Sequence, residues 1–104
     1  MKYYVNFNSL EKKIDFLKQH FDKINENINQ LELLKGKVLW EGMASNRFMQ
    51  NYNIYLNDLS NIRKNIAKYI LFLTLYYEGY STEYKMLKKK YAMLFQKEEL
   101  EWLK

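Results

Sequence analysis

The side chains able to do chemistry are few in this chain. His20 is the only histidine among 104 residues and cysteine is absent, which removes thiolate zinc sites, cysteine nucleophiles and disulfides. His20 stands beside Phe21, one step off the apolar stripe of its segment, where a boundary or solvent residue belongs. Glu26 with Glu32, and the pair Glu98-Glu99, have no histidine three or four positions away. The carboxylate-histidine ligand sets of di-metal bundles need that spacing. No Gly-rich phosphate loop and no zinc-ligand spacing occurs. The expectation is a protein with no catalytic residue, no cofactor and no metal. Tyrosine is what the chain has instead: ten, of which Tyr52, Tyr55, Tyr69, Tyr76 and Tyr80 share one spacing series. An apolar ring with a polar tip suits a core edge, with the hydroxyl reaching solvent, and it equally suits a helix-to-helix interface.

Helices must position these rings. With no Pro and three Gly, almost nothing interrupts helical structure, and the length fits one domain over 1–104. A hydrophobic share of 48% with 17% aromatic residues is far from the disordered regime, yet two helices have too little mutual surface to bury so many rings. Something else must cover the rest. The net charge is +5, but it is spread: seven basic against five acidic residues through Leu39, four against two from Met43 to Tyr80, six against four from Ser81. The single basic run is Lys88-Lys89-Lys90 and Arg occurs only at positions 47 and 63, so no phosphate-binding cluster, and no nucleic-acid partner, is expected.

Met1 to Phe7 lacks the apolar core of a cleaved signal peptide, which implies synthesis as a cytoplasmic protein. Tyr69 to Tyr77 is the most apolar stretch, with Thr74 its one polar member. It falls well short of the roughly 20 residues that span a bilayer. No membrane insertion is expected, and the stretch reads as helix turns buried on most sides.

Leu10, Ile14, Leu17, Phe21, Ile24, Ile28 and Leu31 follow one another at steps of four and three. Phe48, Tyr52, Tyr55, Leu59, Ile62, Ile66, Tyr69, Leu73, Tyr76 and Tyr80 do the same. Such steps keep side chains on one stripe of an α-helix. The fold class is therefore all-α: an antiparallel hairpin with helix 1 over about 8–38, a turn over 39–43, helix 2 over about 44–79 and a C-terminal helical extension over about 82–103. Asn8 with Glu11 has the form of a capping box. Gly36 has the form of a C-cap residue, although Val38, Leu39 and Trp40 carry the apolar spacing on to the turn. Near Gly79 the apolar phase slips by one residue. That marks either a break, with Ser81 or Thr82 capping a third helix, or a stutter in one bent helix. The tail ends in the apolar Leu100, Trp102 and Leu103.

Trp40-Glu41-Gly42 falls between the two periodic segments. Gly suits a tight turn needing positive φ, and Trp supplies one large side chain to pack over a bundle end. With Ala44 and Phe48 just after it, and with this length, the chain resembles the WXG family of small proteins exported by type VII secretion systems, over about residues 8–80. The resemblance implies that Trp40-Glu41-Gly42 joins two antiparallel helices and that the hairpin pairs with a second one in a four-helix bundle. The partner is then its own copy or another WXG or LXG helical domain, met through Phe48, Tyr52, Tyr55, Leu59, Ile62, Ile66, Tyr69, Leu73 and Tyr76. It also implies export without a cleaved signal peptide, with the system's ATPase as a further contact.

The family's second signature, Tyr-x-x-x-Asp/Glu after the second helix, has no match, since no Tyr precedes an acidic residue by four positions. The nearest substitute is Phe95 with Glu99, an aromatic and a carboxylate one helical turn apart. In this it is similar to small helical companions of LXG-type toxins, in which Phe replaces Tyr. A different class of function, a cytosolic coiled-coil scaffold unconnected with secretion, fits the same periodicity.

Overall fold

The computed structural model describes residues 7–40, 42 and 45–96; the side chains of Phe7 and Trp40 lie outside that description. Three α-helices follow one another, α1 (Phe7–Trp40), α2 (Asn46–Glu78) and α3 (Thr82–Tyr91), and a 3₁₀ turn over Ala92–Leu94 closes the described chain. No strand occurs among the described residues. The two long helices pack together as a hairpin within a molecule 61 × 28 × 26 Å in extent.

Local chemistry sets the helix ends. Ser45 is extended and its Oγ accepts the Phe48 N–H at 3.1 Å, which caps α2. At the other end Gly79 adopts φ 66° and ψ −149°, and its N–H donates to the Leu75 carbonyl at 2.7 Å. That conformation belongs to glycine almost alone. Ser81 then caps α3: its Oγ accepts the Tyr84 N–H at 3.1 Å and donates to Glu78 Oε2 at 2.9 Å. The phase slip is thus a break between two helices.

Two expected boundaries differ. Helix α1 already includes Phe7, so Asn8 lies inside the helix and Asn8 with Glu11 does not form its N-terminal capping box. The C-terminal extension is not helical through 103 in one piece: the α-helix stops at Tyr91, and Phe95 is extended at φ −115° and ψ 147°. Leu100, Trp102 and Leu103 lie outside the described residues. Gly36 sits within α1, which continues to Trp40.

The core lies where the first half of α1, the second half of α2 and all of α3 meet. Ile14 and Phe21 join Ala67, Ile70 and Leu71 there, with Tyr84, Leu87, Tyr91 and Phe95 arriving from the C-terminal segment. Phe21 and Tyr91 touch ring to ring at 4.7 Å. The cover that a bare hairpin lacks is therefore partly supplied by the chain's own third helix. Toward the α1–α2 connection, Ile28 and Tyr52 are the buried hydrophobic residues among the described ones.

The buried face of α2 coincides only in part with its aromatic stripe. Ala67, Ile70, Leu71 and Thr74 are its innermost residues along with Tyr52, and none of the first four belongs to the series from Phe48 to Tyr80. From α2, small and aliphatic side chains enter this core, whose rings come from Phe21, Tyr84, Tyr91 and Phe95, while Tyr69 and Tyr76 of α2 stay exposed. Tyr69 to Tyr77 is consequently two-faced. Tyr69, Phe72 and Tyr76 are exposed while Ile70, Leu71 and Thr74 are buried, which corrects the reading of a segment buried on most sides.

Candidate functional site

In the series of steps of four and three on α2, every second member falls on one of two rows with a repeat of seven. Seven residues are about 20° short of two full turns, so each row runs nearly straight along the helix. The row Tyr52, Leu59, Ile66 and Leu73 leans inward: Tyr52 is buried, Leu59 is half-buried, and Ile66 and Leu73 pack on the core. The other row leans out. Phe48 at its start is half-buried, but Tyr55, Ile62, Tyr69 and Tyr76 expose 56, 46, 63 and 58% of their surface. The nine residues expected at a partner interface are thus divided between a face already packed and an uncovered one.

The uncovered row borders grooves. Tyr55 shares a surface hollow of about 340 Å³ with Asn27, Leu31 and Leu34 of α1, and Tyr69 shares one of about 510 Å³ with Asn65, Lys68 and Phe72. Leu34 and Phe72 are themselves exposed, so each hollow has an uncovered apolar side chain in its wall. Tyrosines left in water at helical spacing are the residues that dominate helix-to-helix recognition when a partner covers them.

Buried tyrosines behave differently. Tyr52 stacks on Phe48 at 6.3 Å and carries the Lys35 ammonium over its ring at 5.4 Å. Burial first and the Glu32 charge second push its hydroxyl above the ordinary range. Tyr91 is pushed up to about 12, by burial and then by Asp22 and Glu83.

Trp40 is the last residue of α1, and Gly42 follows with φ 68° and an N–H donating to the Leu39 carbonyl at 3.2 Å. Glu41, Ala44 and the Trp40 ring lie outside the described residues, as does Glu99. Phe95 is only 8% exposed and packs within the core. Its backbone is extended at the end of the 3₁₀ turn, and its placement relative to Glu99 falls outside the described residues. His20 is exposed and meets Phe16 edge-on at 4.4 Å. No group of three or more histidine, aspartate or glutamate residues is placed to hold a metal ion, and no helix is long and apolar enough to cross a membrane, among the described residues.

One arrangement was not visible in the sequence. Glu11, Asp15, Glu78 and Glu83 come from three helices and gather around a single cavity. On α1 the spacing of Glu11, Asp15 and Lys18 shows one polar face, but its convergence with Glu78 and Glu83 depends on how α3 folds back. No family model, curated protein or solved structure matches the chain.

Proposed function

We propose that this protein works without catalysis, as a small helical substrate or targeting partner of a type VII secretion system. Its uncovered α2 face pairs with a second helical hairpin, its own copy or the helical domain of an LXG-type toxin, to give a four-helix bundle. The protein is made in the cytoplasm and exported without a cleaved leader. The observation that carries the reading is the exposed row Tyr55, Ile62, Tyr69 and Tyr76, a heptad repeat of the kind that packs against a partner helix, on a hairpin whose connection holds Trp40-Glu41-Gly42. Between the two sources of a partner the row itself makes no choice.

Two experiments test it. Light scattering should give the mass of a dimer, or of a complex when the chain is co-expressed with a neighbouring helical protein; a stable monomer in every pairing sinks the assembly. Comparing export from cells with and without an active type VII system separates secretion from a cytosolic scaffold, since a scaffold stays in the cells in both. Because Phe95 serves the core, the export determinant is probed at Glu99. Glu99→Ala should block export with helicity unchanged, and normal export of that variant removes Glu99 from the signal.

A further inference from the structure

The hollow of about 510 Å³ beside Tyr69 has Asn65, Lys68, Tyr69 and Phe72 as its described wall. All four stand on α2, within about two turns. One helix is a convex cylinder, so the hollow needs a second segment to close it. The chain passes its edge. Lys68 holds its ammonium 5.9 Å from the centre of the Phe95 ring, and Gln96 alone separates Phe95 from residues 97–104. Reach is not limiting. Phe72 lies about 6 Å along α2 from Lys68, whereas the chain from Gln96 to Trp102 spans up to about 20 Å when extended.

Composition matches this segment to that wall. Glu98-Glu99-Leu100-Glu101-Trp102-Leu103 combines three carboxylates with three large apolar side chains. Between Asp58 and Glu78, α2 has the opposite sign: Arg63, Lys64 and Lys68 with no acidic residue. Lys64 and Lys68 stand one helical turn apart, on neighbouring positions of one face. Next to them Tyr69 and Phe72 expose 63 and 56% of their surface. Apolar contact supplies the affinity of such a pairing, and opposite charge around it fixes the register.

A rival hollow of about 390 Å³ around Arg63, Lys90 and Met93 also joins cations to apolar surface. Phe21 and Asn25 from α1, Arg63 from α2 and Lys90 and Tyr91 from α3 already wall it, and Arg63 donates to Asn25 Oδ1 at 2.7 Å. It needs no further segment. We propose that residues 98–103 dock in cis on α2, with Leu100, Trp102 and Leu103 against Tyr69 and Phe72 and the glutamates toward Lys64 and Lys68. The hollow is not lined by Tyr55, Ile62 or Tyr76. The docking therefore rests on neither the assembly nor the secretion reading.

Because the chain has no cysteine, Lys104→Cys places a single nitroxide next to Leu103 for paramagnetic broadening of amide signals in the full chain. The amides of Asn65, Lys68, Tyr69 and Phe72 should lose most of their intensity, while those of Ile28 and Tyr52 keep theirs. Leu100→Ser with Trp102→Ser should restore the lost intensity. Glu98→Lys with Glu101→Lys should restore part of it, since exposed ion pairs contribute less than apolar burial. Core amides such as Ile70 and Tyr91 staying at their parental shifts show that both variants keep the fold. A sample mixing isotope-labelled chains without nitroxide and unlabelled chains with it should show no broadening, as a contact in cis requires. Intact signals at Asn65 to Phe72 in the labelled parent overturn the proposal. So do broadening centred on Phe21, Arg63 and Lys90, the same broadening in the mixed sample, which would make the occupant a second copy, or unchanged broadening in the double serine variant.

Discussion

Thr74 and Tyr91 are both buried polar residues of the core, and they respond to opposite manipulations. The Thr74 hydroxyl has been taken from water without a partner among the described residues. Replacing such a group by a methyl of the same shape removes a desolvation cost of about 1–3 kcal/mol. Thr74→Val should therefore raise the urea unfolding midpoint, with a gain of about 1 kcal/mol; a loss of stability would mean that the hydroxyl is satisfied in solution. Tyr91 is linked to pH. Its hydroxyl ionises near 10 when unfolded and at about 12 when folded, so between these values the unfolded chain has released a proton that the native chain keeps. Native-state binding of the extra proton makes stability fall as pH rises. The contribution is complete below pH 10 and is lost progressively up to about pH 12. Thermal unfolding followed across that window should show a steep drop in the parent and a shallower one in Tyr91→Phe. The drop does not vanish in that variant, because Tyr52, Tyr77 and Tyr84 are also raised.

At the scale of the elements, two glycines should respond to alanine with opposite signs. A Cβ at Gly79 meets nothing within 4 Å, so the whole effect of Gly79→Ala is the backbone, held at φ 66°. Alanine there should cost about 1–3 kcal/mol. Gly36 also has open space around it, but it lies inside α1 with no positive φ. Gly36→Ala should stabilise by about 0.5–1 kcal/mol. Equilibrium urea denaturation of the two variants checks both signs, and unchanged or raised stability in Gly79→Ala would overturn the assignment of Gly79 as the interhelix break.

The same scale shows what the sequence could carry. Steps of four and three are a local property, so the hairpin of long helices was legible in Leu10 to Leu31 and Phe48 to Tyr80. The slip of phase at Gly79 was legible because glycine and a following serine have local backbone roles. Which flank of α2 becomes core was not. Ala67, Ile70, Leu71 and Thr74 are buried because α3 returns alongside them, and a return of the chain leaves no periodic mark. The large tyrosines drew the expected stripe toward a face that the monomer leaves partly open. Phe95 was placed on a helix by spacing alone; the 3₁₀ turn over Ala92–Leu94 ends that helix. The acidic cavity was illegible for the same reason as the core, since its carboxylates come from three helices.

For the molecule as a whole, the consequence is two unequal sides. Ala67 and Leu71 each stand two positions from Tyr69, about 160° around the helix, so the exposed row lies nearly opposite the flank that meets the core. Apolar surface on that opposite side cannot be covered by α3. Substitutions on the two sides should accordingly separate assembly from folding. Tyr69→Glu with Tyr76→Glu places two charges on a face exposed by 63 and 58%, where surface changes leave monomer stability within about 0.5 kcal/mol. Tyr91→Ala empties a site that is 1% exposed, and loss of a buried aromatic costs about 3–5 kcal/mol. The double glutamate variant should keep its helical circular dichroism and lose the dimer or complex mass in light scattering, whereas Tyr91→Ala should lose helicity and unfold at lower temperature. Retained association in the glutamate variant would locate the interface elsewhere. Loss of helicity in it would show that Tyr69 and Tyr76 are held in the fold itself, which would move the missing cover of the hairpin from a partner back to this chain.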